Sequence, residues 1–344
     1  MSSRKPRIQL VFDFDGTMTT ADTTAVIGSH CIAKARELAP PDTSEHQLPK
    51  PMEYYSELYM QEYQAWEELN SGSEAPRTTI DEEVSHLSQS RNIDYASFMR
   101  VRDAVLNTPG GIGELSRNER LRNDFMIDAG RQAVRSGEVQ IRDPEALRRL
   151  MAKAEEEGNV WGIVSVSFSR RFIIGALIEA GLVREERAQG IAGWIRCNEL
   201  LAPDPYDDKS NVLCSTQDKK DAFRELLADW RKQSGARERA YPISSRDDDS
   251  VITIYVGDST TDLGCLVGLS IGMYLSEGKR EDAVAKTLNR FNIGCVPIEM
   301  LPTKDAPSKL IDILAKLQDE KKPAHVVCAI HEFQQLYEWV SAIG

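Results

Sequence analysis

Apolar residues along this chain follow two rhythms. Ile8 to Phe12 is a short run that reads as a buried strand, and it ends at "DFDGT". From Thr23 the spacing turns helical: "TTAVIGSHCIAKARELA" is apolar at Ala25, Val26, Ile27, Ile32 and Leu38. A polar loop (40–50) precedes "MEYYSELYMQEYQAWEEL" (52–69), an aromatic amphipathic helix, and a second loop covers 70–79. Further helical segments fill about 80–107 and 114–136, and no strand signal interrupts 23–137.

Strands return after that. "RDPEALRRLMAKAEEEG" opens with Asp143 as N-cap and Pro144 at the first helical position, and it stops at Gly158. "NVWGIVSV" is a buried strand, followed by a helix over 168–180. "GIAGWIRCNEL" reads as a strand pair or hairpin, and a helix covers 218–230. A polar insertion (234–250) leads to the buried strand "VITIYVGDS". Short strands at 271–275 and 292–298 flank a helix at 279–290, and helices near 308–320 and 325–342 end the chain. Strands alternating with helices predict an α/β fold with a parallel sheet covered on both faces. The core takes 1–20 and 139–344, and an all-helical insertion takes 21–138, directly after the first strand.

Composition narrows the classes. The chain has 344 residues, 41% apolar and 28% charged, with a net charge of -12. That acidity disfavours nucleic acid and anionic membranes as partners, and no run has the length of a membrane span. Six cysteines without a CxxC pair read as reduced thiols, and with no targeting signal a cytoplasmic protein is expected.

The candidate chemistry sits at strand ends, where open α/β sheets build their sites. Asp13 and Asp15 follow the first strand, Ser165 closes "WGIVSV", and Asp258 and Asp262 lie in "GDSTTD" after "VITIYV". Lys219 begins a helix in "STQDKKDAF", beside Lys220. Each alone has a plain explanation as a turn, a cap or a solvated face. Together and in this order they describe four acids, a hydroxyl and an ammonium converging on one point. Clustered carboxylates call for a cation, and an all-oxygen set selects Mg²⁺.

This order resembles the haloacid dehalogenase (HAD) superfamily of phosphohydrolases, over about 7–20 and 139–300. The resemblance implies a Rossmann-like core with a helical C1-type cap. It implies Asp13 as nucleophile, Asp15 as acid/base, Ser165 and Lys219 as phosphate-binding groups, and Mg²⁺ held by Asp13, the Asp15 main-chain carbonyl and Asp258. Asp262 and Thr17 take supporting roles, with Thr17 bonding Asp15. "YYSELYMQEYQAWEEL", "SGEVQIRD", "IRCNEL" and "GDSTTDLGCLVGLSIGMYL" are similar to the HAD module of plant thiamin monophosphate phosphatases and to stand-alone fungal relatives, whereas "SVSFSRRF" departs from that subgroup. The expected activity is phosphate removal from a small phosphomonoester, thiamin monophosphate or a similar metabolite, through an aspartyl-phosphate. A phosphomutase or phosphotransferase, or a non-catalytic binding protein of the same fold, is the alternative.

Secondary candidates are weaker. Arg170 and Asn198 read either as substrate contacts or as surface and turn residues. Tyr54, Tyr55, Tyr59, Tyr63 and Trp66 read mostly as packing, with one or two facing the site. "GGIG" (110–113) reads as a turn, and Cys328 and His331 as neighbours on one face of the last helix.

Overall fold

The computed structural model describes residues 7–70, 77–156, 159–202, 212–233, 251–268, 271–276, 283–301 and 327–343. Seven strands form one sheet: β1 (Arg7–Phe12), β2 (Val160–Val164), β3 (Ile195–Arg196), β4 (Val251–Gly257), β5 (Ile271–Leu275), β6 (Cys295–Pro297) and β7 (Val327–Ile330). Their order is β3-β2-β1-β4-β5-β7-β6, and every pairing is parallel. The chain leaves β1 toward β3 on one side and resumes with β4 on the other. The order therefore reverses between β1 and β4, where a crevice opens beyond the strand ends. Register aligns those ends, since Phe12 pairs with Ile163 of β2 and with Val256 of β4.

β1 and β4 are buried on both faces, as their near-continuous apolar sequences require of central parallel strands. Ile8, Leu10 and Phe12 face α7 (Pro144–Lys153), α8 (Arg170–Glu179) and the terminal helix. Val11 and Tyr255 face α10 (Thr216–Gln233), α11 (Leu263–Leu266) and α12 (Ala283–Arg290). A four-residue turn, α9 (Ala188–Ile191), precedes β3. No described helix is long and apolar enough to cross a membrane. All six cysteines are free thiols.

Between β1 and α7 the regular structure of the described residues is helical: α1 (Thr24–Leu38), α2 (Met52–Asn70), α3 (Ile80–Leu87), α4 (Arg91–Leu106), α5 (Ile112–Arg117) and α6 (Glu119–Ser136). Its entering and leaving segments meet: Thr20 N donates to Gln140 O (3.0 Å) and Arg142 N to Met18 O (2.8 Å). α6 lies directly on α8. A Cβ on Gly130 would stand 2.1 Å from Phe172 O, and one on Gly175 would stand 2.1 Å from Ile127 O. Only glycines permit this approach, so the insertion is joined to the core backbone to backbone. Gly110 of "GGIG" lies in a turn (φ 109°) against the end of α1.

Two expected elements differ. "GIAGWIRCNEL" holds no hairpin. A tight turn at Ala192–Trp194 leads into the two-residue edge strand β3, parallel to β2, and the chain then turns at Asn198. The expected helix over 325–342 begins as strand β7 and becomes α13 only at Phe333–Ile343. Val327, Cys328 and Ile330 are fully buried between β5 and β6, a slot that rewards an extended apolar segment. Cys328 and His331 therefore share no helix face. The expected helix at 308–320 and the polar insertion at 234–250 lie outside the described residues.

Candidate active site

The site begins where β1 stops. Asp13 N donates to Val256 O (2.8 Å), which ties Asp13 to the end of β4. The chain then makes a tight turn with Gly16 at φ +75°, a conformation that favours glycine. A Cβ there would stand 2.5 Å from Asp258 Oδ2, so the turn packs on that carboxylate. Thr17 Oγ1 donates to Asp258 Oδ1 (2.5 Å). The expected bond from Thr17 to Asp15 is not formed, because the turn aims Thr17 across the crevice. Arg142, in the segment that returns from the insertion to the core, braces the same turn by donating to Gly16 O (3.0 Å) and Thr17 O (3.2 Å).

Asp262 forms the floor. Its Oδ2 accepts from Asp258 N (3.2 Å), Ser259 N (3.1 Å) and Ser259 Oγ (2.9 Å). Its Oδ1 accepts from Tyr255 OH (2.6 Å) and pairs with Lys219 Nζ (2.7 Å). A Cβ on Gly257 would stand 2.5 Å from Asp262 Cγ, so this packing needs a glycine at the end of β4. Lys219 is fully buried and also reaches Asp13 Oδ2 at 2.9 Å. Lys220, one residue on, points away to the exposed Asp81 (3.1 Å). Lys219 is thus the lysine that enters the site.

Asp15 faces another way. Its Oδ1 accepts from Thr23 N (2.8 Å) and Thr23 Oγ1 (2.5 Å), just before α1. Its Oδ2 accepts from Ser165 Oγ (3.2 Å). The insertion's first helix therefore fixes one oxygen of Asp15, and the end of β2 meets the other.

Burial governs the electrostatics. Asp13 is pushed well above the usual carboxylate range, first by desolvation and then by Asp262, against the pull of Lys219. Asp15 is pushed up to about 7 by burial and by Asp22, with the Thr23 and Ser165 bonds opposing. Asp258 is pushed up to about 6 by burial and by Asp262. Burial disfavours the Lys219 charge, but attraction to Asp13 and Asp262 outweighs it and holds the ammonium above its ordinary value. The site is short of positive charge.

Ligand oxygens of Asp13, Asp258 and Asp262 all lie within 4.8 Å of one another. Asp262 is occupied by five donors, which leaves Asp13 and Asp258 as the carboxylates suited to a cation. This all-oxygen pair fits a hard divalent ion. The Asp15 carboxylate is turned to Thr23 and Ser165, so Asp15 can contribute only through its main chain.

The structure thus gathers Asp13, Asp15, Thr17, Ser165, Lys219, Asp258 and Asp262. Arg170 and Asn198, read from sequence either as substrate contacts or as surface and turn residues, are engaged away from these carboxylates. The Asn198 amide donates to Val166 O and Leu213 O (both 2.9 Å) and accepts from Leu213 N (2.8 Å), so it ties loops together. Arg170 stands 3.8 Å from Glu199, whose carboxylate also accepts from Arg170 N (3.2 Å) at the start of α8. Arg170, Cys197 and Asp218 line a cavity of about 660 Å³ that none of the site carboxylates borders. The aromatic row is packing: Tyr59, Tyr63 and Trp66 follow one another at 5.6–5.8 Å, and Tyr59 OH donates to Asp94 (2.9 Å). Thr23, Arg142, Tyr255 and Gly257 were not singled out by sequence. "SGEVQIRD" and "VITIYVGDS" contain three of them, Arg142, Tyr255 and Gly257, but nothing in their spacing marks a contact.

A scan against protein-family models and a search of curated proteins both return no match for this chain.

Proposed function

We propose that this chain is a HAD-type, Mg²⁺-dependent phosphohydrolase that removes phosphate from a small-molecule phosphomonoester. The observation that carries the proposal is the division of labour between two aspartates two residues apart. Asp13 shares a buried ammonium with Asp262. Asp15 is held by hydroxyl and amide donors with its pKa raised to about 7. Two carboxylates in contrasting environments are suited to a nucleophile and a proton carrier.

Asp13 attacks phosphorus, and the ester P–O bond breaks to leave an aspartyl-phosphate. Asp15, about half protonated at neutral pH and more so below it, gives its proton to the departing alkoxide. It then takes a proton from the water that attacks the phosphorus of the intermediate, which releases inorganic phosphate and restores Asp13. Lys219 and the Ser165 hydroxyl counter the negative charge on the phosphoryl oxygens. Asp262 holds Lys219, and Thr17 holds Asp258. Asp13, Asp258 and the Asp15 main chain would hold Mg²⁺, which when bound would supply charge that offsets repulsion between the carboxylate and a dianionic ester.

In this reading the helical insertion is a C1-type cap. Asp13, Ser165 and Lys219 are almost wholly buried, which favours small metabolites over phosphoproteins. Six free thiols suit a reducing compartment such as the cytoplasm. The test is phosphate release across a panel of phosphomonoesters that includes thiamin monophosphate, with Mg²⁺ or with chelator, beside Asp13→Asn. Metal-dependent release that is lost in Asp13→Asn supports the proposal. Release unchanged in the variant, or none from any ester, refutes it.

A further inference from the structure

Tyr255 is a polar residue in an apolar place. It is fully buried on β4, its ring packs on Phe223 with centroids 5.1 Å apart, and its neighbours include Leu263 and Cys265. Phenylalanine would fill this position without the cost of burying a hydroxyl. The hydroxyl bonds the Cys265 thiol and makes one contact with the site. It donates to Asp262 Oδ1 at 2.6 Å, the same oxygen that pairs with Lys219 at 2.7 Å. The other donors to Asp262 come from its own loop, Asp258 and Ser259, or from Lys219 itself. Among the described residues, Tyr255 is thus the partner that joins Asp262 to a central strand.

Lys219 lies between two carboxylate acceptors, Asp262 Oδ1 and Asp13 Oδ2 at 2.9 Å, with the Thr261 hydroxyl a longer third acceptor at 3.4 Å. We propose that Tyr255 is a positioning residue: by sharing Asp262 Oδ1, its hydroxyl keeps the Lys219 ammonium divided between Asp262 and Asp13. This rests on the phosphohydrolase reading above. A carboxylate oxygen that already accepts a strong neutral bond has less charge left to draw the ammonium in. Without the hydroxyl, Asp262 Oδ1 attracts Lys219 more strongly and Asp262 loses its anchor on the sheet. The ammonium then moves away from Asp13 and from the phosphoryl oxygens that gain charge in the transition state.

The test is Tyr255→Phe, which keeps the ring and its packing. With p-nitrophenyl phosphate and Mg²⁺ as probe, kcat is expected to fall about tenfold with KM nearly unchanged. The ¹H–¹⁵N resonances of the Lys219 ammonium are expected to move in the metal-free protein. A wild-type kcat, or an unmoved Lys219 resonance in a folded variant, overturns the proposal. If wild type hydrolyses no ester, the phosphohydrolase reading fails and the ammonium resonance still decides the role of Tyr255. Should Tyr255→Phe not fold, 3-fluorotyrosine at this position keeps the hydroxyl as a stronger donor. It too is expected to move the Lys219 resonance, and no movement overturns the proposal.

Discussion

Lys219→Met removes a charge while keeping most of the side chain's length. Lys219 is fully buried, and the Asp13 and Asp262 side chains beside it are 3% and 0% exposed. Deleting one partner of a buried ion pair leaves uncompensated charge and costs about 3–5 kcal/mol. The neighbouring Lys220→Met is the internal control. Its partner, the Asp81 side chain, is 85% exposed, so its loss costs about 0–1 kcal/mol. The pH dependence has a definite sign. Without Lys219, Asp13 loses the attraction that opposes its desolvation, so its folded-state pKa rises further. A carboxyl with a raised folded-state pKa adds stability below its unfolded pKa, and that stability is lost as pH rises through the folded value. The Lys219→Met deficit is therefore large at pH 8 and shrinks toward pH 5. Urea unfolding of both variants and wild type, in chelator at the two pH values, measures it. Equal stability of Lys219→Met and wild type at pH 8, or a Lys220→Met deficit as large, refutes the reasoning.

Three further outcomes follow from the geometry. Asp15→Asn should stabilise the metal-free protein at pH 8 but not at pH 4. Raising Asp15 from 3.8 to about 7, at 1.36 kcal/mol for each pH unit, costs the ionised form about 4 kcal/mol at most; thermal unfolding at the two pH values reads the difference. Gly16→Ala should cost about 1–3 kcal/mol through its positive φ and its push on Asp258, and should weaken Mg²⁺ binding in calorimetry. Gly130→Ala should cost about 1–3 kcal/mol or more, because a Cβ has no room against Phe172 O; chemical denaturation checks it.

The sequence was most legible where local pattern and tertiary demand agree. β1, β4 and β5 are apolar runs bounded by turn residues, and central parallel strands need nothing else. The six residues set at strand ends and at the start of α10 converge because parallel register brings all those ends to one edge. β7 was lost because its apolar run merges into the amphipathic helix that follows. Only the slot between β5 and β6 separates strand from helix. Thr17, Asn198 and Tyr255 show a second limit. Spacing places a hydroxyl or an amide near a site but does not choose its partner. Thr17 reaches Asp258 across 241 positions, and Asn198 closes a loop instead of lining a pocket.

The central claim is that Asp13 carries the phosphoryl group. The most direct measurement uses Asp15→Asn, which lacks the base for the second step, with p-nitrophenyl phosphate, whose phenolate departs without a proton. After an acid quench, intact mass and peptide mapping should find one phosphoryl group, on Asp13. A phosphoryl group on another residue contradicts the account, as does an unmodified Asp13 in a protein whose wild type turns the same ester over.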